Sequence, residues 1–220
     1  MKRNGKRVLM LGSMFLTAFL VWTVLVQSMD VQAIGPEETE VGFATFNGWF
    51  HKLTGVHMTM YAVTDWLGLV PIFVCMVFGG FGLVQLIQRR SLFKVDYDIL
   101  LLGGYYSLVI VGYLLFEMLP INYRPILIEE RLEASYPSST TLLVLCVMPT
   151  LLEQTKRRLK HGAVKNIVNG FVFCFSVFMV VGRLISGVHW VTDIMGAVWL
   201  SAGLFCIYKA AVLLYAEKEK

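Results

Sequence analysis

Charge is scarce in this chain. Only 15% of its 220 residues are Asp, Glu, Lys or Arg, against 57% apolar, where soluble domains run near a quarter charged. A soluble domain is excluded, and an integral membrane protein of one domain, 1–220, is left. Cysteine offers little. Cys75, Cys146, Cys174 and Cys206 all fall inside apolar runs, without metal-ligand spacing and outside any loop, so they read as small core residues. No histidine or carboxylate cluster has ligand spacing either, so neither a metal nor a cofactor is implied. The net charge of +4 comes without a nucleic-acid motif.

What the chain has in abundance is long apolar segments. About 20 apolar residues cross the ~30 Å of bilayer hydrocarbon. Six stretches approach that length: Val8–Gln27, Thr64–Ile87, Tyr97–Leu119, Ser139–Leu152, Ile167–Ile185 and Ile194–Tyr215. The expected fold is therefore all-α, a bundle of six transmembrane helices. The first stretch follows Lys2, Arg3, Lys6 and Arg7, with Val31-Gln32-Ala33 as a conceivable cleavage site, but its apolar run is long for a signal peptide and it is read as a retained span. Gly79-Gly80 with Gly82, and Gly103-Gly104, read as small-residue patches that let helices approach.

The basic residues give an orientation. All but four of the 19 lysines and arginines fall at the two chain ends and in the loops after spans two and four, the C-terminal group being Lys209, Lys218 and Lys220. The exceptions are Lys52, Arg124, Arg131 and Arg183. An even number of spans with both termini cytoplasmic fits this bias, in a plasma membrane. Three segments then face outward: Ser28–Val63, Pro120–Ser138 and Ser186–Thr192. In the first, Phe43–Phe50 reads as an interfacial helix, structural rather than catalytic, with Trp49 and Phe50 suited to the headgroup boundary. His51 and His57 sit in no recognisable frame.

Ionisable groups at membrane depth are functional candidates. Arg183, His189 and Asp193 stand between the last two apolar runs. Their spacing places His189 and Asp193 on one face of a helix start, so the carboxylate holds one imidazole nitrogen and leaves the other free. A plainer alternative makes Arg183 a snorkelling anchor. Arg124-Pro125 lies in the second outward segment, and Pro137-Ser138-Ser139-Thr140 opens span four with hydroxyls and free N–H groups. Such a helix start can cradle phosphate, or simply cap the span.

Together these residues resemble the type-2 phosphatidic acid phosphatase superfamily, the membrane lipid phosphate phosphatases. Its motifs are Lys-x6-Arg-Pro, Pro-Ser-Gly-His and Ser-Arg-x5-His-x3-Asp. The third is matched by Arg183, His189 and Asp193, with Gly182 in the serine position; the first at Arg124-Pro125; the second at Pro137-Ser138. The motif-bearing core covers about 97–204. The resemblance implies that His189 is the nucleophile, forming a phosphohistidine, and that Asp193 orients it. It implies that Arg124, Arg183, Ser138, Ser139 and Thr140 bind the substrate phosphate. Glu117 replaces the first-motif lysine, and Thr140 replaces the second-motif histidine that protonates the leaving group. The expected partners are the bilayer and a lipid phosphate or, preferentially, a polyprenyl diphosphate. The alternatives are a headgroup-binding relative with weakened catalysis and a lipid phosphotransferase. A transporter finds little support, because no ionisable residue sits midway along a span.

Overall fold

In the computed structural model, which describes residues 2–216, helices dominate. Helix α1 (Lys2–Ser28) leads into a short hairpin of β1 (Gln32–Ala33) and β2 (Glu40–Val41), with Gln32 opposite Val41. Then follow α2 (Ala44–Thr54), α3 (Met58–Leu67), α4 (Leu69–Arg89), α5 (Tyr97–Met118), α6 (Ser139–Arg158), α7 (Gly162–Ile185) and α8 (Val191–Ala216). The chain is an all-α multi-pass membrane protein. Lys218 and Lys220, used above for orientation, lie outside the described residues.

Among the described residues, five helical stretches are long and apolar enough to cross a membrane: Asn4–Ser28, Met58–Arg89, Tyr97–Met118, Gly162–Ile185 and Val191–Ala216. The expected fourth span is present as α6 but is more polar than the others. The reason is its place in the bundle. Helix α6 packs against α4, α5, α7 and α8, so its polar Thr141, Thr150 and Gln154 are buried among protein instead of facing lipid. The outer helices carry the lipid-facing residues, such as Phe73, Ile110 and Phe173, all largely exposed.

The second span begins earlier than its sequence pattern suggests and is broken. Pro71 has no N–H for the carbonyl of Leu67 and its ring crowds that carbonyl. The helix accordingly divides at Gly68 into α3 and α4. The glycine patches differ from expectation except at Gly82, where a Cβ would lie 3.0 Å from Ile99 of α5. A Cβ on Gly79, Gly80, Gly103 or Gly104 would meet nothing within 4 Å, so these do not mark close helix packing. A tighter contact falls elsewhere: a Cβ on Gly203 of α8 would lie 2.6 Å from Leu16 of α1.

At one end of the bundle α5, α6 and α8 meet in paired charges. Arg158 donates to Asp98 at 2.9 Å and to Gln154 at 3.0 Å, and Lys209 donates to Glu153 at 3.0 Å. Arg89 and Gln85 hold Asp96 at 2.8 Å each. The α1–α2 segment, the α5–α6 connection and the α7–α8 turn gather at the other end.

Candidate active site

The α5–α6 connection folds back on itself. Tyr123 pairs with Ala134, and Ile128 with Arg131, across a turn in which Glu129 and Glu130 both adopt positive φ. This register sets Arg124 beside Glu133 (N–H to carbonyl, 3.1 Å) and Ser135 beside Asn122 (2.9 Å). The returning strand reaches Ser138, whose amide donates to the backbone carbonyl of Asp193 at 3.2 Å. Main-chain bonds thus tie the Arg124 segment to the start of α8.

His189 occupies the turn between α7 and α8, and Asp193 the first turn of α8. The expectation that both sit on one helix is corrected: His189 precedes the helix, and its Nδ1 is 3.7 Å from Asp193 Oδ2. Ser135 fills the gap. Its hydroxyl donates to Asp193 Oδ2 and lies 3.1 Å from His189 Nδ1. Asp193 Oδ2 also accepts the Trp190 amide at 2.8 Å, and Asn122 approaches Oδ1 at 3.5 Å. With the serine proton committed to Asp193, the serine oxygen accepts from Nδ1–H. The imidazole then presents a lone pair on Nε2, which is buried and has no partner. Burial first, then the charges of Arg124 and Arg183, hold His189 well below the usual histidine range, so the ring is neutral near pH 7.

The two arginines are buried and incompletely paired. Arg183 is 1% exposed. Its Nη1 reaches Thr64 Oγ1 at 3.5 Å and Asp65 Oδ1 at 3.6 Å, both long, and its Nε has no partner. Arg124 lies by charge against Glu133, Nε to Oε2 at 3.1 Å, yet neither Nε nor Nη1 makes a hydrogen bond. Both guanidinium groups flank the Tyr61 ring, at 5.0 Å for Arg183 and 5.8 Å for Arg124. Gly182 explains how α3 comes so near: a Cβ there would stand 2.7 Å from Thr64 Cγ2. A serine at this position would push α3 off α7.

The remaining expected residues are spread around this centre. Ser138 is fully buried, and its hydroxyl donates to Thr141 at 3.1 Å without capping the helix backbone. Ser139 and Thr140 line a cavity of about 520 Å³ between α4, α5 and α6, with Asp65 and Tyr113 alongside and Ile72, Ile110 and Leu143 further in. Glu117 lines a separate small recess with Ser135 and Ser139. His51 and His57 are tied to backbone, His51 Nε2 donating to Gly187 O at 3.0 Å and His57 Nε2 to Thr54 O at 2.8 Å. Sequence spacing missed Ser135, Asn122, Tyr61 and Thr64, because hairpin register and helix contact bring them in.

Arg124, Arg183 and His189 thus lie buried together with polar atoms to spare. Residues 114–215, which contain Arg124, Ser135, Arg183, His189 and Asp193, match the PAP2 superfamily. The chain's fold is also similar to the crystal structure of the first transmembrane PAP2 type phosphatidylglycerolphosphate phosphatase from Bacillus subtilis, with a TM-score of 0.63 and 19% identity over 96% of this chain and 98% of that one. No curated protein sequence matches the chain.

Proposed function

We propose that the protein is a membrane phosphatase that releases phosphate from a lipid phosphate through a phosphohistidine, and that it prefers lipid diphosphates such as polyprenyl diphosphates. One observation carries this reading. The buried polar atoms without partners include Arg124 Nε and Nη1, Arg183 Nε and His189 Nε2, the donors and the lone pair that a phosphoryl group would engage. Buried unsatisfied groups are costly and rare in folded proteins. The match of residues 114–215 to the PAP2 superfamily supports the same chemistry, and a lipid phosphatase of similar fold makes a lipid substrate the natural choice.

In the proposed reaction His189 Nε2 attacks phosphorus in line as the bond to the leaving oxygen breaks. Arg124 and Arg183 hold the equatorial oxygens, where charge spreads in the transition state. Ser135 and Asp193 keep the proton on Nδ1 and balance the positive charge gained by the ring. Water then cleaves the P–N bond and releases phosphate. Ser138, Ser139 and Thr140 are proposed to complete the phosphate cradle, with the cavity beside Thr140 admitting the lipid chain.

The preference follows from Thr140. Threonine does not protonate a leaving group near neutral pH, and losing a general acid typically costs about 10²–10⁴-fold. An alkoxide leaving from a monoester needs that proton. A phosphate leaving from a diphosphate needs it far less, since its own second pKa is near 6.

Phosphate release from matched lipid mono- and diphosphates, with His189→Ala as the control, tests this reading. The expected result is faster release from the diphosphate and none from the variant. Thr140→His is expected to raise monoester turnover by on the order of 10²-fold with little change for the diphosphate. Release no greater than that of the His189 variant on every lipid would favour a headgroup-binding relative, and faster monoester turnover would overturn the diphosphate preference.

A further inference from the structure

Helix α2 is amphipathic in the reverse sense to a helix of a soluble protein. Two of its polar side chains, Asn47 and His51, point into the protein, while Thr45 and Lys52 remain exposed. Asn47 is fully buried, donating to Gly42 O at 2.8 Å and to Thr192 Oγ1 at 3.0 Å, and His51 donates to Gly187 O. Its large apolar side chains point out: Phe46, Trp49 and Leu53 are 45%, 58% and 67% exposed. A helix buries the face that its surroundings do not welcome, so the medium around α2 is apolar.

The inward face grips the turn that carries His189. Gly187 of that turn has φ +72°, and a Cβ on it would collide with Gly55 O at the end of α2. The amide of His57 donates to Ser186 O at 2.9 Å, and the His51 ring lies 5.6 Å from that of Trp190. The turn is therefore held by α2 and the start of α3 as well as by α8.

We propose that α2 lies in the headgroup layer of the bilayer on the site's side, and that this seating holds the Ser186–Trp190 turn in its working shape. A bilayer is the occupant the surface fits. Helix α2 runs by way of Gly55–His57 into α3–α4, itself long and apolar enough to cross the membrane. Its outward rings are of the kind that concentrate where hydrocarbon meets headgroup. A second copy of the chain is the competing occupant, and the test separates the two. The placement of α2 stands independently of the phosphatase reading; only the link to turnover rests on it.

The test uses the full chain in phosphatidylcholine vesicles. The fluorescence difference between the protein and Trp49→Phe reports Trp49 alone. Lipids brominated in the upper half of the acyl chain are expected to quench it more than those brominated lower, and aqueous iodide to leave it unquenched. The double variant Trp49→Ser/Leu53→Ser is expected to raise amide hydrogen exchange in residues 186–190 by on the order of tenfold, with the spans unchanged. Phosphate release from a polyprenyl diphosphate in the same vesicles is expected to fall by a similar factor. Quenching by iodide but not by bromolipid, or unchanged exchange in the turn, would overturn the proposal. So would a wild-type dimer that the double variant converts to monomer while bromolipid leaves Trp49 bright. Silence of the wild type on every lipid phosphate would sink the phosphatase reading and leave the quenching and exchange results to decide this one.

Discussion

The two ends of the bundle treat charge in opposite ways. At one end Arg158, Asp98, Gln154, Lys209 and Glu153 form bonds of 2.9–3.0 Å, with the Arg158 and Lys209 side chains 32% and 38% exposed. At the other end the charged Arg124 and Arg183 and the His189 ring are all buried, yet each keeps a nitrogen without a hydrogen bond. A satisfied network stabilises a fold, whereas a half-satisfied one is tolerated where a ligand completes it. The pairs at the first end fasten α5, α6 and α8; the arginines at the second are held ready.

Arg183→Ala should break the contrast most visibly. It is expected to lower kcat/KM for the lipid substrate by about 10²–10³-fold while leaving thermal stability equal or higher, because a desolvated cation has been removed. A variant that unfolds would place Arg183 with the structural charges. Ser135→Ala is expected to lower kcat by about 10–10²-fold with KM little changed, since His189 would lose the group that fixes its tautomer. An equal loss in a variant that already carries Asp193→Asn would show that the serine acts elsewhere than in that relay.

The opposite end should answer in stability alone. Asp98→Asn weakens the bond from Arg158 and is expected to lower unfolding free energy by about 1–3 kcal/mol, with activity per folded molecule unchanged. The smallest effect concerns pH. In the folded protein His189 resists protonation, whereas the unfolded chain takes up that proton near the ordinary histidine value of 6.5. Stability is therefore fully present above that value and falls as pH drops below it, by about 1.4 kcal/mol per unit. Replacing His189 with Gln should remove this component of the acid loss in a thermal-unfolding series.

Much of the molecule was legible from local pattern. Span lengths follow from hydrophobic runs, and Arg183, His189 and Asp193 announce themselves as ionisable groups at fixed spacing between two such runs. Helix α6 read as a short fourth span because hydropathy measures exposure to lipid, and α6 is wrapped by protein. The break at Gly68 was written in Pro71 but hidden inside a continuous apolar stretch. Ser135 carried no local mark. It reaches His189 only because the Tyr123–Ala134 pairing returns the chain to α8, and Tyr61 and Thr64 reach Arg183 only because Gly182 admits α3.

The bond from the Ser138 amide to the Asp193 carbonyl has a consequence for how this site can change. It joins two distant stretches of chain through atoms that every amino acid except proline possesses at the donor position. The pairings of Arg124 with Glu133, Ser135 with Asn122 and His57 with Ser186 are of the same kind. The jig is main chain, and the reagents are side chains mounted on it. Residues at its edge, such as Glu117 and Thr140, can therefore be exchanged without moving His189. Such a frame lets the side chains around the proposed phosphate site change by single substitutions while its geometry stays.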